Sequence, residues 1–383
     1  MKTKIKIDEL YCYLLYVSLF KLCFLPETIQ LSIKALCLIL SFVFFIQKVK
    51  KKNLFNAIIL ISVSCFISSM ISHNLATLST QKTIKSMVYG LSLYTIYLMV
   101  RYFQTSGGYV TLIRYLCNIT KVYCLLSIVS VLISGTTKSG VETYYWFGTK
   151  FMTSYLFLFW LMLYRLINVE KINKNQRDKF IYLLFSIAVI LFIYYLNCGT
   201  TFLASIFLFV DQFFSDRIRD FLKKPVMVLT SMCLAGMFPY IYNLILSNSY
   251  VQKVFFIFLG KSSTLTGRTV IYDKLVYIIS NRPIWGYGYQ NEAVKYFVSE
   301  NFGNVQNAIA QWTVDYGIIG LIILFFYSFY CLRRASRNDY LNGWYTILYA
   351  FIICSTVEVS FNFFFFIALV VIGVFKDSKK QVI

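Results

Sequence analysis

Long apolar stretches separated by short polar connections run along almost the whole chain. Runs of about 17–25 apolar residues are long enough to cross a hydrocarbon core of roughly 30 Å as a helix. Twelve such runs lie near residues 9–25, 29–47, 53–72, 84–103, 112–134, 150–168, 180–197, 200–214, 225–247, 306–332, 343–358 and 360–375. The pattern predicts an all-α polytopic membrane protein with about 12 transmembrane helices.

The composition agrees with this prediction. Of the 383 residues, 58% are hydrophobic and only 14% are charged. A soluble domain needs more polar surface than this, so the composition excludes the ordinary soluble classes.

The positions of lysine and arginine predict the orientation, because basic residues are retained on the cytoplasmic side of short loops. With the N-terminus inside, 24 of the 37 basic residues fall in inner segments. These segments are 2–6, 48–52, 101–114, 165–179, 217–224, 333–337 and 376–380. We therefore expect a multi-pass protein of the cell membrane with both termini cytoplasmic. Topology and anionic membrane lipids then explain the net charge of +21 without any nucleic-acid partner.

One connection, residues 248–305, is much longer than the others and is predicted to lie outside the cell. It divides the chain into nine helices over 1–247, the extracellular loop, and three helices with a cytoplasmic tail over 306–383. Its stretches 251–260 and 269–280 are apolar or amphipathic, which predicts interfacial or re-entrant helices. Long loops that are not linkers are usually functional.

The loop is also basic, although it is predicted to lie outside. One interpretation is that long loops are exempt from the charge rule. The other is that the loop forms a binding surface for an anionic group. Its charged residues are Lys253, Lys261, Arg268, Lys274, Arg282 and Lys295 against Asp273, Glu292 and Glu300.

Three motifs follow in order within residues 266–362. They are Gly267-Arg268 before a helix, the turn from Pro283 to Gly288, and Gln306-Asn307 followed by Asp315 and the Gly317–Gly320 stretch. With a late "STVEVSFNF", this order resembles the O-antigen polymerase and ligase superfamily, most closely the Wzy-type capsular polysaccharide polymerases. Two departures stand out: Gln306 replaces the histidine of the ligases, and "NCGTT" at 197–201 lacks the arginine of a family motif.

The resemblance implies an enzyme, a membrane glycosyltransferase acting at the outer leaflet. Such a polymerase transfers a glycan from undecaprenyl diphosphate onto another lipid-linked oligosaccharide repeat, building surface polysaccharide of the capsular or O-antigen type. Its partners would be the undecaprenyl-diphosphate-linked oligosaccharide, membrane lipids, a chain-length regulator and a flippase.

The implied reaction points to candidate residues. Arg268 and Arg282 suit the diphosphates, because a guanidinium binds phosphate oxygens bidentately. A helix between them would place them roughly 20 Å apart, which predicts two separate phosphate groups unless a turn brings the arginines together. The alternative for each arginine is contact with lipid headgroups alone. Glu358 is the candidate for orienting or deprotonating the acceptor hydroxyl. The candidate substrate-binding residues are Lys261, Lys274, Tyr287, Gln306, Asn307 and Asp315.

Two further residues leave alternatives open. Asp315 lies about nine residues into its span, where it is expected to hold a tyrosine or a basic partner. His73, the single histidine, is either the missing catalytic base or a solvated loop residue.

The chain carries no phosphate-cradling P-loop, no metal-ligand cluster and no Asp-x-Asp pair, so we expect no metal and no cofactor. Two alternative functions remain. One is a lipid-linked oligosaccharide flippase or transporter, which usually shows two similar halves. The other is an O-antigen ligase, which Gln306 disfavours.

Overall fold

A computed structural model describes residues 6–72, 80–106, 108–135, 144–246, 268–333, 335 and 339–375. These residues form a bundle of α-helices, with one short hairpin in which Tyr144–Tyr145 (β1) pairs antiparallel with Gly148–Thr149 (β2). The helices are α1 (Ile7–Leu19), α2 (Glu27–Lys48), α3 (Ile58–Ile71), α4 (Thr80–Thr105), α5 (Tyr109–Ser134), α6 (Lys150–Lys174), α7 (Gln176–Tyr195), α8 (Gly199–Asp211), α9 (Asp216–Leu222), α10 (Pro225–Leu246), α11 (Arg268–Asn281), α12 (Ala293–Phe297), α13 (Ala308–Leu332), α14 (Asn342–Ser355) and α15 (Phe363–Phe375).

Helices α14 and α15 lie at the centre of the bundle. Nearly every residue of α15 is buried, and it packs against α4, α13 and α14. A helix that is apolar all round and buried belongs inside a bundle rather than at its surface. By contrast α7 exposes Phe180, Leu184 and Leu191, which gives the outside of the bundle an apolar surface.

Among the described residues, six helices are long and apolar enough to cross a membrane, namely α2, α5, α6, α7, α10 and α13. Three more, α3, α8 and α15, are apolar but shorter. Each of the twelve predicted spans overlaps one helix, so the description as a helical multi-pass membrane protein is supported. The count of twelve spans and the orientation stay predictions.

Helix α13 is broken at Gly317, a feature that the sequence analysis missed. The backbone of Gly317 has φ 65° and ψ −168°, which is not helical. A regular helix would bond the N–H of Ile318 to Val314 O and the N–H of Ile319 to Asp315 O. The break therefore leaves two donors and two acceptors to be satisfied elsewhere.

The segment 283–288 takes the place of the missing partners. Ile318 N donates to Pro283 O at 2.8 Å and Ile319 N to Ile284 O at 3.3 Å. In return, the N–H groups of residues 287 and 288 donate to Val314 O and Asp315 O, both at 2.8 Å. All four groups of the break are thus bonded to one short stretch of irregular backbone.

Serine side chains at the end of α3 satisfy carbonyl groups where the break in α13 meets the 283–288 segment, a contact that we call the junction. Ser68 Oγ donates to the carbonyls of Trp285 and Asp315, and Ser72 Oγ donates to Gly286 O at 3.1 Å. Irregular backbone is tolerated between membrane helices only where protein groups bond to it. Helix α3 supplies those groups.

Helix α11 covers the helix predicted over residues 269–280, and its place at the membrane interface stays a prediction. It buries Ile271, Leu275 and Ile278 in a small core shared with α10, α12 and α13, while Val276 and Tyr277 stay exposed. Residues 251–260, the other segment predicted to be helical, lie outside the described residues.

Replacing Gly317 by alanine should disrupt the junction. A Cβ at this residue would lie 2.1 Å from Ile284 O, and the positive φ adds backbone strain. We expect Gly317→Ala to destabilise the protein by more than about 3 kcal/mol, measured as a fall in the melting temperature of detergent-solubilised protein. Gly303→Ala is the matched control, because a Cβ there meets nothing within 4 Å. Equal melting temperatures for the two variants would contradict this account of the junction.

Candidate functional site

A buried ion pair links the long loop to the end of α14. Arg268, the first residue of α11, donates from Nη2 to Oε1 of Glu358 at 2.7 Å. The two side chains are only 6% and 10% exposed. Glu358 lies three residues beyond the end of α14 rather than inside a helix as predicted. The pair joins residues that are 90 positions apart in the chain.

Gln306 completes the contact on the Arg268 side. Its Oε1 accepts from Arg268 Nε at 2.9 Å, and its backbone has φ 56°, a left-handed conformation. Tyr272 holds that backbone in place, because its hydroxyl donates to Gln306 O at 2.9 Å. Burial raises the pKa of Tyr272, so this hydroxyl stays protonated at neutral pH.

Asn307 fixes the same region from the other side. It is fully buried, and its Nδ2 donates to Ala235 O at 2.8 Å and to Thr356 O at 2.9 Å. Its Oδ1 accepts from the N–H groups of Ile309 and Ala310 and so caps the start of α13. Asn307 therefore ties α10, α13 and the loop that carries Glu358 together, and it has no donor left for a substrate.

Two tyrosines next to the ion pair have buried hydroxyls with no hydrogen-bond partner among the described residues. Tyr155, on α6, is close enough to interact electrostatically with Glu358 and Arg268. Tyr242, on α10, packs edge-on against Tyr272 with ring centroids 5.2 Å apart. A buried hydroxyl without a partner is costly, and it is the kind of group that a polar ligand satisfies.

The site thus collects the start of α6, the end of α10, the start of α11, the start of α13 and the end of α14. Its groups can bind an anion through Arg268, accept a proton through Glu358, and hydrogen-bond hydroxyl groups through the tyrosines. Toward the described residues, the guanidinium of Arg268 bonds through Nε and Nη2.

Arg282 lies at the other end of α11, far from this cluster. The helix between the two arginines is continuous, so a rise of ~1.5 Å per residue separates their backbones by roughly 20 Å. Arg282 is half-buried, and its side chain makes no hydrogen bond or ion pair within the described chain. The structure therefore does not bring the two candidate arginines together.

Of the other predicted substrate-binding residues, Tyr287 is placed differently from the expectation. It is 5% exposed, and its hydroxyl donates to Ile278 O at 2.9 Å, so the ring serves packing and is not presented to a sugar. Lys274 is exposed and donates from Nζ to Phe297 O, which joins α11 to α12. Lys261 and His73 lie outside the described residues.

Asp315 stabilises the broken helix and lies apart from the ion pair. Its Oδ1 accepts from Asn291 Nδ2 at 2.7 Å and from Gln311 Nε2 at 2.6 Å. The expected partner, a tyrosine or a basic residue, was wrong, because two amides satisfy the carboxylate instead. Asn291 also donates to Gly288 O, so the trio supports the junction with the 283–288 segment.

Sequence reasoning missed Tyr155 and Tyr242 as members of the site. Both lie in apolar runs, where a tyrosine is most often a core residue, and nothing local marks an unpartnered hydroxyl. Only the packing of α6 and α10 against the ion pair distinguishes them from the other tyrosines of the chain.

Within the described ranges no group of three or more histidine, cysteine, aspartate or glutamate side chains could hold a metal ion. Comparisons of the chain with protein-family models, with curated proteins and with solved structures find no match.

Proposed function

We propose that the protein is a membrane glycosyltransferase that polymerises lipid-linked oligosaccharide repeats at the outer leaflet of the cell membrane. The observation that carries the proposal is the Arg268–Glu358 pair, buried among groups that bind anions and hydroxyls. Two motifs that resemble the Wzy-type polymerases, Gly267-Arg268 and Gln306-Asn307, supply residues to it. The twelve-span topology, with the long loop outside, belongs to the same proposal.

The chemistry assigns a different role to each charge. The acceptor hydroxyl of one repeat attacks the anomeric carbon of the donor glycan, and the bond from that carbon to the diphosphate breaks. Arg268 neutralises the charge that develops on the leaving diphosphate. Glu358 takes the proton of the hydroxyl as the new glycosidic bond forms.

The ion pair also suggests how the base becomes available. While no donor is bound, Arg268 holds Glu358 in a charged pair. A donor diphosphate competes for the guanidinium, so the pair loosens when the leaving group is in place.

Transport by a flippase is the alternative from another class, and the break in α13 bears on it. Transporters use broken helices in matching positions of two halves, with the freed backbone groups lining an ion or substrate site. In the described helices a non-helical residue interrupts α13 alone, and the 283–288 segment bonds all four freed groups. This arrangement favours a structural role for the break.

Removal of the gene separates these functions. We expect the surface polysaccharide of the deletion strain to collapse from a ladder to a single repeat, which electrophoresis of the extracted glycan measures. Lipid-linked repeats trapped on the cytoplasmic side would instead show a flippase. Full-length polymer that is missing only from its final acceptor would show a ligase.

A set of glutamine variants tests the roles in the ion pair. Glu358→Gln leaves Arg268 buried without its charge partner and should cost about 3–5 kcal/mol of stability. The double variant Arg268→Gln/Glu358→Gln removes both charges and should regain most of that stability. Both variants should lose at least about 100-fold in polymer formation by purified protein supplied with lipid-linked repeats.

The matched control is Glu292→Gln, which removes an exposed carboxylate paired with Lys82 and Lys295. Its stability and activity should stay near those of the unchanged protein. If the double variant were both stable and active, the ion pair would be structural and the proposed chemistry would be wrong.

The separation of Arg268 and Arg282 generates a binding prediction. We expect two undecaprenyl diphosphate molecules per protein, with each single alanine variant losing one and Arg268→Ala/Arg282→Ala losing both. Native mass spectrometry of the detergent-solubilised protein counts the bound lipids. Loss of all binding in either single variant would overturn the assignment of two sites.

A further inference from the structure

A cavity lined by charged and apolar residues lies at the opposite end of α14 from the ion pair. It has a volume of about 260 Å³ and is bordered by α6, α8, α9 and the first two turns of α14. Helix α14 has 14 residues, so roughly 20 Å separate its two ends. The cavity faces the side of the bundle that the basic residues predict to be cytoplasmic.

Three cations border this cavity, with one carboxylate among its lining residues. Arg165 is paired with Asp211, and Arg219 donates from Nη2 to Asp211 O at 3.1 Å. Lys223 is 2% exposed and pairs with Asp220 at 2.8 Å. Asp216 pairs with Arg219 and Asp220 pairs with Lys223, and neither carboxylate lines the cavity. Both carboxylates are largely exposed, so water screens their charge more than it screens the cations.

Two residues that line the cavity each carry a buried polar atom with no hydrogen-bond partner among the described residues. These atoms are the hydroxyl of Tyr345, a residue that is 2% exposed, and Oδ1 of Asn342. Both residues lie in the first turn of α14, whose N-cap residue, Leu341, makes no side-chain cap. A buried hydroxyl without a partner beside clustered cations is suited to an anionic oxygen. Oδ1 of Asn342 can accept from a hydroxyl of the same ligand.

The rest of the wall is apolar. Leu166, Val169, Phe207 and Leu222 line the cavity next to the charged groups. A ligand that fills it therefore needs an apolar part beside its anionic group, and a free inorganic ion would leave these side chains uncovered. A phosphate ester with an attached apolar chain meets both requirements.

We propose that this cavity binds the phosphate ester of an amphiphilic molecule, with Arg219, Lys223 and Tyr345 as the phosphate ligands. The molecule would enter from the leaflet on this side as an anionic phospholipid or from solution as a soluble phosphate ester. The inference rests on the cavity alone and does not depend on the proposed polymerase.

Native mass spectrometry of the full-length protein in detergent tests the proposal, with phosphatidylglycerol as the lipid probe. Arg219→Gln should weaken its binding about tenfold or more, because a charge-assisted hydrogen bond is lost. Arg217→Gln is the matched control, since Arg217 lies two residues away on α9, is exposed, and does not line the cavity. Tyr345→Phe should weaken binding severalfold without loss of folding, because it removes a single unpartnered oxygen.

Phosphatidylcholine and hexyl phosphate distinguish the source of the phosphate. Binding of phosphatidylglycerol in preference to both supports a lipid of the membrane. Displacement of the lipid by millimolar hexyl phosphate supports a soluble amphiphilic ester in the same cavity. The proposal is overturned if none of the three binds, or if Arg219→Gln and Arg217→Gln weaken binding equally while Tyr345→Phe has no effect.

Discussion

Two donors and two acceptors of α13 have lost their helical partners at Gly317, and the 283–288 segment bonds to all four of them. This exchange requires the segment to lie against the backbone of α13. A Cβ at Gly286 would lie 2.5 Å from Val314 O, so the approach is possible only with glycine on both sides. At the end of α3, Ser68 and Ser72 donate to the carbonyls of Trp285 and Gly286 in the same segment.

The position of α11 follows from that junction. The helix ends at Asn281, immediately before the segment, and its buried face packs on α10 and α13. Its first turn is held by the bonds from Arg268 to Glu358 and from Tyr272 to Gln306. Anchors at both ends place Arg268 beside the end of α14. The chemistry of the candidate site thus depends on a backbone junction that contains no catalytic group.

The helices were predictable because a membrane-spanning helix satisfies its own backbone, so its signal is a local run of apolar residues. The junction was not predictable in the same way. Each of its bonds joins residues from different parts of the chain, and the Gly317–Gly320 stretch does not by itself indicate a break in the helix. The sequence predicts a turn over 283–288 and makes Tyr287 a candidate substrate-binding residue. In the structure Tyr287 is buried, and the backbone of the segment is hydrogen-bonded to the backbone of α13.

The same distinction between local and distant signals explains which site residues the sequence could identify. Arg268, Gln306 and Glu358 stood out as polar residues in motifs, and the structure brings these three together. Tyr155 could not stand out, because a tyrosine in an apolar helix acquires significance only from an unpartnered hydroxyl beside a charge.

Helix α14 shows why both polar sites lie where they do. Between Trp344 and Ser355 nearly all of its residues are buried, most of them apolar, and the regular helix satisfies every interior backbone group itself. Buried polar side chains need partners from other chain segments or from a ligand. At the end of α14 the loop to α15 and the first turn of α11 supply those partners. At its start α9 supplies one to Tyr349, while polar atoms of Tyr345 and Asn342 have none among the described residues. Both sites therefore occur where the helical backbone ends, and the apolar helix between them keeps them roughly 20 Å apart.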